Sequence, residues 1–244
     1  MSGVGGISRN LSRDAIADAR AVIEALAAIE PDLGAMPKAL ATLPFFTSAP
    51  DRLALAWRGL YLSIYQLPRR VVLVGSIDNA PELAGLAGDT AGLLVVETDA
   101  MTVSTAEFLP RGTQWRSLTE FGAGLDPEDR VELATALVNG LQPASVLILG
   151  SRTGWEVLVR YGNAIRCNTA LFAALAAEPP MTDLLRTYLR RCLPALTAVY
   201  GPDERALQYI ADRLRLTPAD RVKLREWRDS RDVHGFLAAS GVGI

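Results

Sequence analysis

Short apolar runs, rich in β-branched residues, recur along the chain from residue 70 onward. Four segments share this pattern: 70–75 (RVVLVG), 92–99 (GLLVVETD), 144–150 (ASVLILG) and 196–201 (LTAVYG). Runs of this length without polar alternation are typical of strands buried on both faces of a parallel sheet. Weaker runs at 113–118 and 221–226 predict two further strands.

Helical patterns separate these runs. In the clearest, 125–141, Asp126 is the expected N-cap, Pro127 takes the first helical position, and apolar residues recur at helical spacing. Pro202 is expected to begin another helix, whereas 169–176 fits either a helix or a strand. Alternating strands and helices predict an α/β fold with a Rossmann-like, doubly wound, mostly parallel sheet.

The first part of the chain has a helical texture. Residues 12–30 carry apolar side chains at helical spacing and end at Pro31, and residues 51–65 repeat this pattern after a proline-rich connection. Each helix has an apolar face that needs a packing partner. We therefore expect an N-terminal helical segment (1–66) packing on a core domain (67–228), followed by a C-terminal tail (229–244).

Composition and charge exclude several classes of function. The net charge of the 244 residues is −2 and like charges form no block, so no nucleic-acid partner is expected. Two cysteines, Cys167 and Cys192, lack metal-ligand spacing, and we expect neither a metal nor a cofactor in this chain. No apolar run suits a signal peptide or a membrane span, which favours a cytoplasmic protein.

The polar loops after the strands nominate a substrate-binding site, because ligands of open parallel sheets gather at the carboxyl ends of the strands. Arg152 could pair with a carboxylate or phosphate at a helix N-terminus, and Glu156 could accept a hydrogen bond from a hydroxyl group. The full set of expected substrate-binding residues is Asp78, Asn79, Asp99, Ser151, Arg152 and Glu156.

A purely structural interpretation of the same residues stays open. Ser151 would then be a helix cap, Gly154 a turn residue, Trp155 a core anchor and Asp99 a turn former. The chain contains neither G-x-G-x-x-G nor G-x-x-x-x-G-K-[ST], which weighs against a nicotinamide enzyme or a P-loop ATPase. His234 is expected at the surface, and no catalytic residue can be assigned.

Residues 139–175 resemble part of the N-terminal domain of bacterial glycosyltransferases with the two-Rossmann GT-B architecture, which build cell-surface polysaccharides. The likeness covers most of residues 25–225, and its specific core is Ser-Arg-x-Gly-Trp-Glu. The matching positions are Pro143, Ser151, Arg152, Gly154, Trp155, Glu156, Tyr161, Gly162, Ala164, Leu171 and Phe172.

The resemblance implies a strand at 169–176 and a single GT-B half that holds a glycan or lipid-linked acceptor. Asp78, Asp99, Arg152 and Glu156 would line its cleft, in the cytoplasm or peripherally at the inner membrane. Two positions depart from the family pattern: Gly75 stands alone where those enzymes have Gly-Gly, and Gly150 replaces an amide residue.

The donor half of such an enzyme would follow residue 225, where this 244-residue chain leaves too little room for a second Rossmann domain. A nucleotide sugar is therefore expected only with a second glycosyltransferase domain or subunit, and this chain is not expected to transfer a sugar alone. The alternative function is a non-catalytic, GT-B-like scaffold or subunit that binds a protein partner.

Overall fold

Seven strands form one sheet in this computed structural model, which describes residues 52–80, 83, 92–102, 109, 112–122, 124–175 and 188–227. The neighbouring strands are all parallel, in the order β3-β2-β1-β4-β5-β6-β7. The strands are β1 (Arg70–Val74), β2 (Leu93–Glu97), β3 (Gln114–Ser117), β4 (Ser145–Leu149), β5 (Ala170–Ala174), β6 (Ala198–Gly201) and β7 (Leu224–Glu226). The expected Rossmann-like α/β fold is confirmed, and strand order reverses between β1 and β4.

Buried side chains cover both faces of this sheet, which explains the uninterrupted apolar runs. Val71 and Leu73 of β1 belong to a core cluster that includes helical residues, whereas Val72 and Val74 belong to a second cluster on the opposite face. The α-helices in the described residues are α1 (Arg52–Leu62), α2 (Leu118–Phe121), α3 (Pro127–Leu141), α4 (Arg152–Ile165), α5 (Arg190–Cys192), α6 (Glu204–Arg213) and α7 (Pro218–Arg221).

Side-chain caps mark the starts of four of the seven described α-helices. The Asp126 carboxylate accepts the backbone N–H of Asp129 at 2.8 Å, and Pro127 opens α3, as the sequence predicts. The helix after β6 begins at Glu204 instead of Pro202, because Asp203 is its N-cap. Of the run 221–226, only Leu224–Glu226 is a strand, since α7 occupies the preceding residues through Arg221.

The N-terminal segment contributes at least one helix to the core. Helix α1 lies within the expected helix at 51–65, and its Leu60 is fully buried among the residues of the first cluster. Trp57 and Tyr61 of α1 stack on each other, with ring centroids 5.1 Å apart. The predicted helix at 12–30 and tail at 229–244 lie outside the described residues, and the domain boundaries stay predictions.

Candidate functional site

Where strand order reverses, the carboxyl ends of β1 and β4 are joined by backbone contacts. Val74 pairs with Leu149 in register, and the N–H of Gly75 donates to the Leu149 carbonyl oxygen at 3.2 Å. A Cβ atom at Gly75 would lie 2.3 Å from the carbonyl oxygen of Gly150, which itself has a φ of 59°. Gly75 therefore permits the close approach of the backbone that follows β4.

Ser151 is the N-cap of α4 and is inaccessible to solvent. Its Oγ accepts the N–H of Gly154 at 2.7 Å and lies 2.7 Å from the Oγ1 of Thr98. The hydroxyl thus satisfies a free N–H of the first helical turn and ties the helix to the end of β2.

Asp99 caps the same helix from the loop after β2. One carboxylate oxygen, Oδ2, accepts the N–H of Arg152 at 2.7 Å, and Oδ1 accepts the N–H of Thr153 at 3.1 Å. The hydroxyl of Thr153 also donates to Oδ1. A negative charge here is favourable because the helix dipole is positive at its N-terminus.

An open pocket of about 490 Å³ lies at this carboxyl edge, between the starts of α3 and α4 and the loop after β2. We refer to it as the carboxyl-edge pocket. Its charged lining residues are Asp99, Glu128, Arg130, Arg152, Glu156 and Arg160, and its other lining residues are Met101, Leu125, Pro127, Val131 and Thr153.

Ion pairs join the two helices along one wall of the pocket. The guanidinium of Arg160 on α4 donates to Glu128 on α3, and its Nε lies 3.6 Å from an oxygen of Glu156. The hydrogen bond to Glu128 raises the pKa of Arg160 above its ordinary value, although partial burial opposes this. The wall therefore presents both carboxylates and a fixed cation to the pocket.

Two further side chains organise the pocket's surroundings. Arg130 donates from Nη1 to the carbonyl oxygens of Thr98 and Ala100, at 3.0 and 3.1 Å, and so holds the loop after β2. The Tyr188 hydroxyl donates to Glu156 at 2.6 Å, and this bond raises the pKa of Tyr188, while Arg152 lowers it. The Glu156 carboxylate is thereby positioned by a residue 32 positions later in the chain.

The structure brings three of the expected substrate-binding residues together. Asp99, Arg152 and Glu156 line the carboxyl-edge pocket, and Ser151 lies buried at the helix start beside it. Asp78 is exposed after β1 and does not line this pocket. Its neighbour Ile77 packs into the core cluster on the opposite face of the sheet.

Asn79 ends a short 3₁₀ turn after β1, and its side chain lies outside the described part of the structure. Four residues around the pocket were not expected from the sequence: Glu128, Arg130, Arg160 and Tyr188. The i, i+4 spacing of Glu156 and Arg160 is a signal that could have identified Arg160. For Tyr188 the sequence offers no comparable signal.

The described residues contain no group of three or more histidine, cysteine, aspartate or glutamate side chains arranged to hold a metal ion. Among the helices within these residues, none has the length and apolar character needed to span a bilayer.

The architecture places the chain among Rossmann-like α/β proteins, with a charged pocket at the carboxyl edge of the sheet. No protein-family model, curated protein or solved structure matches the chain significantly.

Proposed function

We propose that this chain is a glycosyltransferase-like domain, equivalent to the N-terminal half of a GT-B enzyme, and that the carboxyl-edge pocket binds a glycan acceptor. The observation that carries this proposal is the open pocket itself, in which Asp99, Arg152 and Glu156 come together at the edge where parallel sheets bind ligands. The resemblance around Ser-Arg-x-Gly-Trp-Glu supports the same function, because Arg152 and Glu156 belong to that motif.

A hydroxyl-rich ligand suits the chemistry of this lining. Each sugar hydroxyl both donates and accepts hydrogen bonds, and the pocket alternates acceptors such as Glu156 with donors such as Arg152. Leu125 and Val131 add an apolar surface that can contact the C–H groups of a sugar ring.

Sugar transfer would also require a nucleotide-sugar donor, which we assign to a second domain or subunit. The domain described here would hold the acceptor and present its hydroxyl across a cleft between the two halves. Such a role fits a location in the cytoplasm or at the inner face of a membrane, where sugar nucleotides are used.

Titration of the purified chain with a panel of neutral oligosaccharides and nucleotide sugars tests this proposal by calorimetry. Arg152→Ala and Glu156→Gln are each expected to weaken glycan binding about tenfold or more, because hydrogen bonds to charged groups contribute about 1.5–3 kcal/mol. Arg205→Ala is the matched control, since Arg205 is exposed on α6 and does not line the pocket. Absence of saturable binding, or equal losses in Arg152→Ala and Arg205→Ala, would overturn it.

A non-catalytic scaffold is the second candidate, and one observation favours it. Several polar groups at the pocket are engaged in internal hydrogen bonds: Asp99 with the start of α4, and Glu156 with Tyr188. A scaffold would show no saturable binding to any glycan or nucleotide sugar, and pocket substitutions would change only its stability. The same titration, repeated with thermal unfolding, therefore separates the two candidates.

A further inference from the structure

The start of α4 is the position where a Rossmann-like sheet most readily binds a phosphate. Helix N-termini that follow a central strand expose free N–H groups and a positive dipole end, and phosphate groups commonly bind there. Helix α4 follows β4 at the point where strand order reverses, so it meets this description.

In this chain, a carboxylate of the protein already occupies that position. The two oxygens of Asp99 accept the N–H groups of Arg152 and Thr153, and Ser151 accepts the next N–H, from Gly154. The N–H of Trp155 donates to the Ser151 carbonyl oxygen at 3.1 Å. All the N–H groups that a phosphate would use are therefore engaged.

The position of Asp99 is fixed by the sheet. Its own N–H donates to the Gly75 carbonyl oxygen at 2.9 Å, and the preceding N–H of Thr98 donates to Val74 at 2.8 Å. A Cβ atom at Gly75 would lie 3.3 Å from Oδ2 of Asp99, so glycine leaves room for the carboxylate. These contacts continue the β1–β2 pairing up to the capping residue.

We propose that Asp99 is a specificity-determining residue, whose carboxylate excludes phosphate groups from the start of α4 and leaves the pocket to ligands recognised through hydroxyl groups. The inference rests on the proposed function, and it narrows the ligand class to unphosphorylated glycans. An incoming phosphate would have to displace the Asp99 carboxylate from the N–H groups of Arg152 and Thr153. The other charged lining residues carry both signs, Glu128 and Glu156 beside Arg130, Arg152 and Arg160, so the exclusion rests on Asp99.

The test compares pyrophosphate binding by the wild-type chain and by Asp99→Ala, followed through the amide NMR shifts of Arg152 and Thr153. The wild-type shifts are expected to stay unchanged at millimolar pyrophosphate. In Asp99→Ala the vacated N–H groups should bind the anion at least about tenfold more tightly than in wild type, with saturable shifts at both amides and a rise in melting temperature.

Asp203→Ala is the matched control, because Asp203 caps α6 in a similar way, accepting the N–H of Ala206 at 2.7 Å. Losing this cap should give no comparable gain in pyrophosphate binding. Saturable shifts at Arg152 and Thr153 in the wild type would overturn the inference, as would an absent response in folded Asp99→Ala or an equal gain in Asp203→Ala.

If Asp99→Ala does not fold, Asp99→Ser replaces it, because serine retains a small acceptor while removing the charge. Saturable pyrophosphate binding at the Arg152 and Thr153 amides of the wild-type chain would be enough to overturn the inference, whichever variant folds. Failure of the proposed function gives a different result: glycans would not bind in calorimetry, whereas the response of Asp99→Ala to pyrophosphate would be unaffected.

Discussion

Gly75 and Gly140 lie in surroundings that give their substitution opposite consequences. A Cβ atom at Gly75 would lie 2.3 Å from the backbone oxygen of Gly150, which directly follows β4. At Gly140, within α3, the nearest atoms would be 3.7 Å away in Trp57 and 3.9 Å away in Tyr61. The second pair of distances is ordinary van der Waals contact.

We expect Gly75→Ala to lower the free energy of unfolding by about 2 kcal/mol or more, as overpacking against a fixed backbone does. Gly140→Ala should raise it by about 0.5–1 kcal/mol, because alanine is the better helix former and the space is available. Urea unfolding measured by tryptophan fluorescence tests both substitutions. A Gly75→Ala protein as stable as the wild type would show that the two strand ends are not in contact.

At the scale of elements, α3 and α4 form the walls of the carboxyl-edge pocket. Helix α3 precedes the central strand β4 in the chain and α4 follows it, so α3 ends near the start of β4 and α4 begins near its end. The side chain of Arg160 links them through Glu128, and both side chains are partly exposed, at 33% and 47%. An ion pair with this exposure orients the pocket wall more than it stabilises the fold.

A double-mutant cycle of Glu128→Gln and Arg160→Gln should therefore give a coupling free energy of only about 0.2–1 kcal/mol. This coupling should fall further in high salt, since solvent screens exposed charges. Chemical denaturation of the four proteins with urea, at low and high sodium chloride, provides the measurement. A coupling of several kcal/mol that is insensitive to salt would mean that the pair is buried, contrary to the structure.

At the scale of the whole molecule, the helices and one face of the sheet share a core cluster that includes Cys192. The thiol of this residue is fully buried, whereas Cys167 is exposed. Burial raises the pKa of Cys192 from its ordinary value near 9.0 to about 12. The folded chain therefore keeps the thiol proton at pH values where the unfolded chain loses it.

Because the folded pKa is raised, this stabilising contribution is fully present below pH 9.0 and is lost as the pH rises toward 12. Between pH 9 and 10, Cys192 alone should lower the free energy of unfolding by up to about 1.4 kcal/mol per pH unit. The control is Cys192→Ala, which should show a shallower decline over this interval. Equal declines in the two proteins would contradict the burial of the thiol.

Alkylation at pH 8 gives an independent test of the same core. Iodoacetamide should modify Cys167 in the native chain, while Cys192 should react only after denaturant has unfolded the core. Mass spectrometry of the digested protein distinguishes the two sites. Rapid modification of Cys192 without denaturant would show that this part of the core opens easily.

Most strands could be predicted from the sequence, because a strand that is buried on both faces consists almost entirely of apolar residues. β5 was ambiguous, since the alanine-rich segment Ala170–Ala174 has helical propensity. Its place between β4 and β6 overrides that propensity, because the segment is buried in the sheet. The resemblance, which implied a strand there, gave the right answer where composition did not.

The candidate site was only partly predictable. The rule that polar loops gather at the carboxyl edge identified Asp99, Arg152 and Glu156, which line one pocket. The rule does not say on which side of the sheet each loop continues, and the loop containing Asp78 follows the opposite face, where Ile77 is buried. Tyr188 reaches Glu156 across 32 positions, a separation at which sequence patterns carry no information.

Strands β1, β2, β4 and β6, the helix N-caps Asp126 and Ser151, and a mostly parallel sheet were predictable from the sequence alone, because these features depend on burial and on neighbours within a few positions. Tertiary structure alone decided that Gly75 meets Gly150 and that Asp99, 53 positions before Arg152, caps α4. The physical reason is strand order: once β1 lies between β2 and β4, the ends of distant segments come into hydrogen-bonding range.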